Sequence, residues 1–483
     1  MLDKDISKTI ETIKNINDNS SDIAVHETVI AKTKVSYVYL ESTCSDDKIS
    51  NFLGKSLSFD SKNKLVLKDL FNYLKNTIPN SKLKVVKTYD DVFYHLFSGF
   101  TCILVDGFDE CITVETKASL DRSISESSSE PVLKGPKDSF NENYHNNIGL
   151  IRKRIKDSNL VFKELKVGRR SKTKVSIAYI KDIADMKHVK SIYKKIEQID
   201  IDGIIDSSYI RELITDNQSS FLPRVISTER PDMASISLLD GKIAIIVENS
   251  PFVLLLPSVF ADFFKTPEDQ YIKPFNASVT RILRYMAFFI AILVPAFYIA
   301  ITTYDVEIIP NLLLISFAIE KETVPFPTVV EVLILIIAYE ILKEADTRKN
   351  QIMGASISIV GALILGEAAV SAGIISPIVV IIISLSAVAG MSFSNPDLVN
   401  AIRSWRIIFI LSACLFGLVG IIFMFTIFIA KTSSLKVLGV PYFTPLAPFN
   451  KNDVLSSVIR LKQKSNKNRT TYLTDNLKRI GDE

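Results

Sequence analysis

Two cytoplasmic α/β subdomains followed by an α-helical polytopic membrane domain is the fold class that the sequence predicts. Three observations carry it. Charge is concentrated at the front: residues 1–274 hold 78 of the 110 charged side chains and residues 275–430 only 18, so the two stretches suit different solvents. The front stretch mixes short β-branched runs with helical apolar spacing. The middle stretch is a series of apolar runs, divided by prolines and basic residues, at lengths that a bilayer sets.

The first subdomain is expected over residues 1–130. Val35 to Leu40 and Phe100 to Val105 have the β-branched and aromatic content of strands, and Val66 to Ile78 has helical apolar spacing. Asp106-Gly107-Phe108-Asp109 reads as a turn leading into a returning strand, Cys111 to Glu115. Ser119 to Ser129, rich in Ser and Glu, reads as a linker. The second subdomain is expected over residues 131–270. Asn141 to Asp157 sets Ile148, Ile151 and Ile155 beside Arg152, Lys153 and Arg154, the pattern of a basic amphipathic helix. Val161 to Leu165 and Val175 to Ile180 are strands around a Gly168-Arg169-Arg170-Ser171-Lys172 turn; Val189 to Gln198 is a helix and Lys242 to Val247 a further strand. Two readings are open for the basic residues 152–154 and 169–174: contact with phosphates or lipid headgroups, or a solvated helix face and turn.

The membrane domain is expected over residues 271–430, with about five spans. Met286 to Ile301 is the first; Thr328 to Leu342, Ile352 to Gly373, Ile374 to Met391 and Ile407 to Ala430 follow. Residues 308–319 are too few for a helical span of about 20 residues, and Pro310 and Pro325 bracket them, so this piece is expected to be re-entrant or interfacial. Arg281 and Arg284, then Lys343, Arg348 and Lys349, then Arg403 and Arg406 mark the cytoplasmic side. Five spans leave the C-terminus outside. The polar tail, residues 431–483, has ten Lys/Arg against four Asp/Glu and favours the inside; the two criteria conflict.

Several function classes are excluded. Met1-Leu2-Asp3-Lys4-Asp5 lacks the basic and apolar regions of a signal peptide, so the front half is expected to remain cytoplasmic. Cys44, Cys102, Cys111 and Cys414 form no Cys-x-x-Cys pair, and His26, His95, His145 and His188 are dispersed. No metal site is expected, and the thiols read as small packed hydrophobes. A net charge of +4 is too small to argue for nucleic acid. No nucleophile elbow, P-loop or dinucleotide fingerprint is present, so neither enzyme activity nor a cofactor is expected.

The most informative membrane residue is Glu367, the single charge between Lys349 and Asp397, in a run of small residues from Gly361 to Gly373. A carboxylate at membrane depth costs about 2.5–3.5 kcal/mol by insertion scales, so it faces other helices or water; small neighbours let helix backbones approach. Ser356, Val360, Leu363 and Glu367 share one helical face and are the pore-lining candidates. The open alternative is a packed bundle helix whose Glu367 bonds a neighbouring span. Glu331 is the candidate ion-path carboxylate of the second span, with an interfacial position as its alternative. Glu340, nine residues on, reads as a partner of Lys343 near the cytoplasmic end.

Longer strings resemble the A-subunit family of GerA-type spore germinant receptors. Gly135-Pro136-Lys137-Asp138-Ser139-Phe140, with Asn147 and Leu150 to Ile155 after it, is similar to that family's "GPREGF…NxxLIRRRI" block. Val167 to Thr173, Asp200 to Ile204, Ser227 to Asp232, Pro251 to Leu254, Ser258 to Phe264, Pro267 to Asp269 and Ser358 to Leu363 continue the resemblance in order, over about residues 100–430. The resemblance implies a subunit in the inner membrane of a bacterial spore. It implies two partners, a permease-like B subunit that senses nutrients and a lipoprotein C subunit. It also implies a homo-oligomer forming a nutrient-gated cation channel that initiates germination. Alternatives are a SpoVAF-like paralogue acting with the dipicolinate-release machinery, or a non-conducting scaffold. Many relatives carry Gln where this chain has Glu367, a change that strengthens cation preference if the position lines a pore.

Overall fold

A computed structural model describes residues 1–30, 32–57, 67–78, 83–118, 130, 132, 134–215, 220–322, 324–347 and 366–479. The chain begins with α1 (Ile6–Ile16), capped by the Asp5 carboxylate, which accepts from the Ser7 amide at 2.9 Å. Ile6, Ile10 and Ile13 recur at helical spacing and are buried. A hairpin follows, β1 (Ile23–Ile30) and β2 (Thr33–Leu40), then α2 (Asp46–Leu57), α3 (Leu67–Thr77), β3 (Lys84–Val86) and α4 (Tyr89–Leu96). β4 (Phe100–Val105) and β5 (Cys111–Glu115) complete an antiparallel sheet of order β1-β2-β4-β5-β3. Side chains alternate across a strand, so Cys102 and Leu104 pack with α1 and α4 while Ile103 and Val105 pack with α3. Burial on both faces explains why β4 reads as an apolar run interrupted at Thr101, whose buried hydroxyl pairs with that of Thr116.

The second unit repeats this plan. α5 (Tyr144–Arg154), β6 (Leu160–Val167), β7 (Thr173–Ile180), α6 (Met186–Glu197), α7 (Ser207–Ile214), β8 (Ile226–Thr228), α8 (Pro231–Leu239), β9 (Ile243–Val247) and β10 (Val253–Leu256) succeed one another in the same order. Its sheet, β6-β7-β9-β10-β8, is again wholly antiparallel and maps strand for strand onto the first. Two copies of one topology thus form the front of the chain.

A fully buried ion pair fastens the copies together. Arg152 Nε donates to Asp22 Oδ2 at 2.8 Å and Nη2 to Oδ1 at 3.2 Å, while Nη1 reaches the Asp157 carbonyl at 3.1 Å. Its guanidinium stacks between Phe97 at 4.8 Å and Phe162 at 5.0 Å. Both readings of residues 152–154 from sequence are corrected here for Arg152, which touches neither phosphate nor solvent. Arg154 pairs with Asp138 at 2.6 Å.

Among the described residues two helical segments are long and apolar enough to cross a bilayer, α9 (Pro274–Thr303) and Pro396–Ser434; the apolar helix Pro377–Gly390 is shorter. Between them lie α10 (Asn311–Glu322), none of whose residues is buried, and α11 (Thr328–Thr347). The segment Pro396–Ser434 is two limbs rather than one rod. Gly417 has φ 57° and ψ −140°, which breaks the helix. Ser412 Oγ donates to the Gly420 carbonyl at 2.8 Å, and the rings of Trp405 and Phe428 are 4.9 Å apart. In a straight helix residues 405 and 428 would stand about 35 Å apart. Both pairings are centred on residues 416–417, so limbs 396–416 and 418–434 run antiparallel. A side chain at Gly417 would meet the Tyr304 ring, and one at Gly420 the Ser412 carbonyl. The apolar run expected as one span over 407–430 is therefore a hairpin.

After the hairpin the chain returns to the second sheet unit. The Tyr442 hydroxyl donates to the Pro223 carbonyl at 2.6 Å, Phe260 N to the Tyr442 carbonyl at 2.8 Å, and Thr474 Oγ1 to the Ile183 carbonyl. Arg460 Nη2 reaches the Gln270 carbonyl at 2.8 Å, beside the base of α9. The polar tail thus packs on the same end of the molecule as the front half.

Candidate functional site

The apolar helices enclose two polar clusters. The first surrounds Glu331, one turn into α11, whose start is set by Pro325 and Pro327. Its carboxylate is fully buried. Oε2 accepts from the Ser376 amide at 2.8 Å, and Oε1 has no partner. Ser376 is the N-cap of helix Pro377–Gly390, so the carboxylate sits at the positive end of that helix dipole, which offsets part of its desolvation. The Ser376 hydroxyl lies beside the Tyr298 phenol. It opens on a cavity of about 200 Å³, lined by Tyr298, Thr302, Phe317 and Lys321 among others. Lys321 Nζ bonds the Thr328 hydroxyl at the start of α11, so α10 folds back over this cluster.

The second cluster ties four elements together around Arg406. Its guanidinium pairs with Glu340 of α11, lies 5.7 Å from the Tyr339 ring, and reaches Ser386 Oγ at 3.5 Å. Ser386 Oγ in turn donates to the Ala291 carbonyl of α9 at 2.8 Å, and Arg403 approaches Glu340 at 3.4 Å. Glu340 therefore engages the arginines of limb 396–416, with Lys343 also within its electrostatic reach. Sequence had read Arg403 and Arg406 only as a topogenic charge cluster. The i, i+3 spacing of two arginines inside an apolar run was the available signal that one of them is buried.

A third ion-paired centre anchors α9 to the front half. Asp269, fully buried, accepts from Arg281 Nε at 2.7 Å and Arg284 Nη1 at 3.1 Å. Arg211 of α7 pairs with Asp397 at the start of limb 396–416. The starts of α9 and of limb 396–416 are thus each held by charge to an element of the front half.

Of the pore-lining candidates, Ser356, Val360 and Leu363 lie outside the described residues. Glu367 falls in the helical stretch 366–371 and is exposed. Glu331 and Glu367 therefore occupy different environments, one enclosed and one open. Among the described residues no group of His, Cys, Asp and Glu is arranged to hold a metal ion, and Cys44, Cys102 and Cys111 are buried free thiols.

The model of the family described as Bacillus/Clostridium GerA spore germination protein matches residues 11–472. The chain belongs to the GerA family. Its membership spans both sheet units, the membrane helices and the returning tail, well beyond the residues 100–430 where strings resemble the family by eye. "Spore germination protein KA" of Bacillus subtilis (strain 168) is 37% identical over 468 residues, covering 95% of this chain and 85% of that relative. "Spore germination protein GerLA" of Bacillus cereus is 33% identical over 469 residues, covering 96% and 95%. A crystal structure of the N-terminal domain of the A subunit of the Bacillus megaterium spore germinant receptor GerK3 is 32% identical, with a TM-score of 0.43, covering 54% of this chain and 97% of that domain. GerA-family A subunits are receptor proteins and not enzymes, which agrees with the absence of catalytic motifs in the sequence.

Proposed function

We propose that this chain is the A subunit of a nutrient germinant receptor that assembles as a homo-oligomer in the spore inner membrane and opens a cation pathway. Its partners in this reading are a permease-like B subunit, which detects the nutrient, and a lipoprotein C subunit. The observation that carries the ion-pathway part is Glu331. A fully enclosed carboxylate with one oxygen unpartnered among the described residues, in the field of Lys321, can hold a mobile cation or proton. In the oligomer, helices bearing Ser356, Val360, Leu363 and Glu367 line the path, with Val360 and Leu363 as the apolar constriction that dewets when closed. Nutrient binding in a partner shifts the ring toward the open state by its greater affinity for that state.

The hairpin at Gly417 supports six crossings: α9, α11, the 352–373 run, Pro377–Gly390 and the two limbs. In this reading α10 lies along the outer surface. Six crossings return the tail to the cytoplasm, which fits its basic charge and its packing on the second sheet unit. The conflict between span count and tail charge is then removed.

Reconstitution of the purified oligomer in liposomes tests the proposal through potassium efflux. Val360→Ala is expected to raise resting efflux, and Glu331→Gln or Glu367→Gln to lower cation preference with assembly intact. Efflux equal to empty liposomes with every partner and nutrient present would leave the scaffold reading in its place. Cysteine labelling at Thr303, Thr323 and Ser465 tests the crossings: the first two react from outside and the third from inside.

A further inference from the structure

We infer that Lys321 is a tethered competitor for the cation at Glu331: its ammonium stands near that carboxylate until α10 moves and a mobile cation takes over. The inference rests on the reading of Glu331 as an ion-path carboxylate and names what regulates it. Glu331 is wholly enclosed, and its Oε1 has no hydrogen bond among the described residues. Tyr298 and Lys321 both lie within its electrostatic reach. Both line the cavity of about 200 Å³ that Ser376 also borders. The ammonium is bonded elsewhere. Lys321 Nζ donates to the Thr328 hydroxyl, which stands one turn before Glu331 on the same face of α11. Arg406, by contrast, closes directly onto Glu340. Lys321 thus offsets the buried charge through space and leaves Oε1 without a bond.

The surroundings fix the kind of cation. Tyr298, Thr302 and Ser376 bring hydroxyls to the cavity wall, and no carboxylate lines it. Glu331, behind the Ser376 amide, is therefore the negative charge at hand among the described residues. One carboxylate among neutral oxygens suits a monovalent alkali cation better than a hard divalent one, which collects several charged ligands. The element that carries the lysine fits a removable charge. Lys321 lies in the last turn of α10, which has no buried residue and exposes Leu312, Ile315 and Ile319. Such a helix shifts without opening a packed core. Two positive charges repel at this range, so a cation settles at Oε1 as Lys321 withdraws. Movement of α10 is then a means of loading the site.

The test uses the full chain, purified into nanodiscs, with radioactive rubidium as the probe and equilibrium binding and thermal midpoint as readouts. Lys321→Met is expected to lower the half-saturating rubidium concentration at least tenfold, about 1.4 kcal/mol of binding. Lys321→Arg keeps the charge and is expected to stay within about twofold of the parent. Lys321→Gln removes the charge, can still bond Thr328, and serves if the Met variant fails to fold. Adding Glu331→Gln to either neutral variant is expected to abolish the binding. Binding that depends on Glu331 but is equal in the parent and both neutral variants overturns the competitor alone. So does a lower midpoint in Lys321→Met with an unchanged rubidium dependence, the mark of a purely structural tie. Binding absent from every variant, or indifferent to Glu331→Gln, overturns the ion-path reading of Glu331 and this inference with it.

Discussion

Asp22→Ala is the most incisive perturbation of the front half, because the carboxylate it removes is the one joining the two sheet units. Arg152 is fully buried and makes two bonds to Asp22 and one to a carbonyl. Deleting the acid leaves the guanidinium enclosed with two donors facing nothing. Breaking a buried pair from one side costs about 3–5 kcal/mol, and at about 1.4 kcal/mol per decade that is a factor of a few hundred to a few thousand in local opening. Hydrogen exchange on the full chain reads this directly, in peptides covering β1, β2 and β6. Their protection is expected to fall by that factor, while peptides of β9 and β10, remote from the pair, change far less. Arg152→Met alone strands the acid and gives a similar loss. The Asp22→Leu/Arg152→Met double variant removes both charges and regains most of the protection, to within about 1 kcal/mol, since well-packed apolar replacements of buried pairs are close to neutral. A loss below tenfold in Asp22→Ala, or a double variant as open as the singles, would refute the reasoning that this pair holds the units together.

Gly417→Val places a β-branched side chain at a left-handed φ and against Tyr304; the backbone strain alone costs about 1–3 kcal/mol, so the thermal midpoint in detergent falls, and an unchanged midpoint would argue against the reversal. Glu331→Gln keeps an acceptor for the Ser376 amide and removes a charge, so the midpoint is not lowered, whereas Glu331→Leu removes the acceptor and costs about 1–3 kcal/mol. Burial alone would raise the Asp262 carboxyl, but Lys242 and Lys265 outweigh it and hold the group well below the usual carboxylate range. A depressed folded value contributes stability above the unfolded value of about 4 and loses it as pH falls further. The parent is therefore expected to weaken below about pH 4, and Lys242→Met, which weakens that hold, to be less stable than the parent at neutral pH and to lose less as the pH falls, in a denaturant series. Burial raises the Cys44 thiol, and a bond with Cys111 followed by burial raises Cys102, so native protein reacts with a thiol reagent at these sites far more slowly than unfolded protein.

Local signals carried much of the architecture. The strands at β2, β4, β5, β6, β7 and β9 and the helices at α3, α5 and α6 were legible because each has the apolar period of its own structure over enough residues. β1, with exposed His26 and a half-buried pattern, lacks a clean period, and α8 buries Asp232, Ser235 and Ser237 along with its apolar residues, so neither announces itself. The division between the two sheet units and the apolar helices followed from charge density alone. Family membership was readable from ordered strings spread along the chain. What no window could show is correspondence between distant parts. The repeat of one sheet topology is a property of strand order, which is set by pairing and leaves little trace in residue identity. Arg152 looks like a surface base until Asp22, 130 residues away, is brought against it. Gly417 looks like a tolerated glycine within a span until Ser412 and Gly420 are seen to meet. Sequence by itself determined the elements, the solvents they suit and the family, because those depend on local composition and period. Tertiary structure alone decided which charges are buried in pairs, where the last apolar run reverses and where the tail comes to rest, because each depends on a partner that folding brings close.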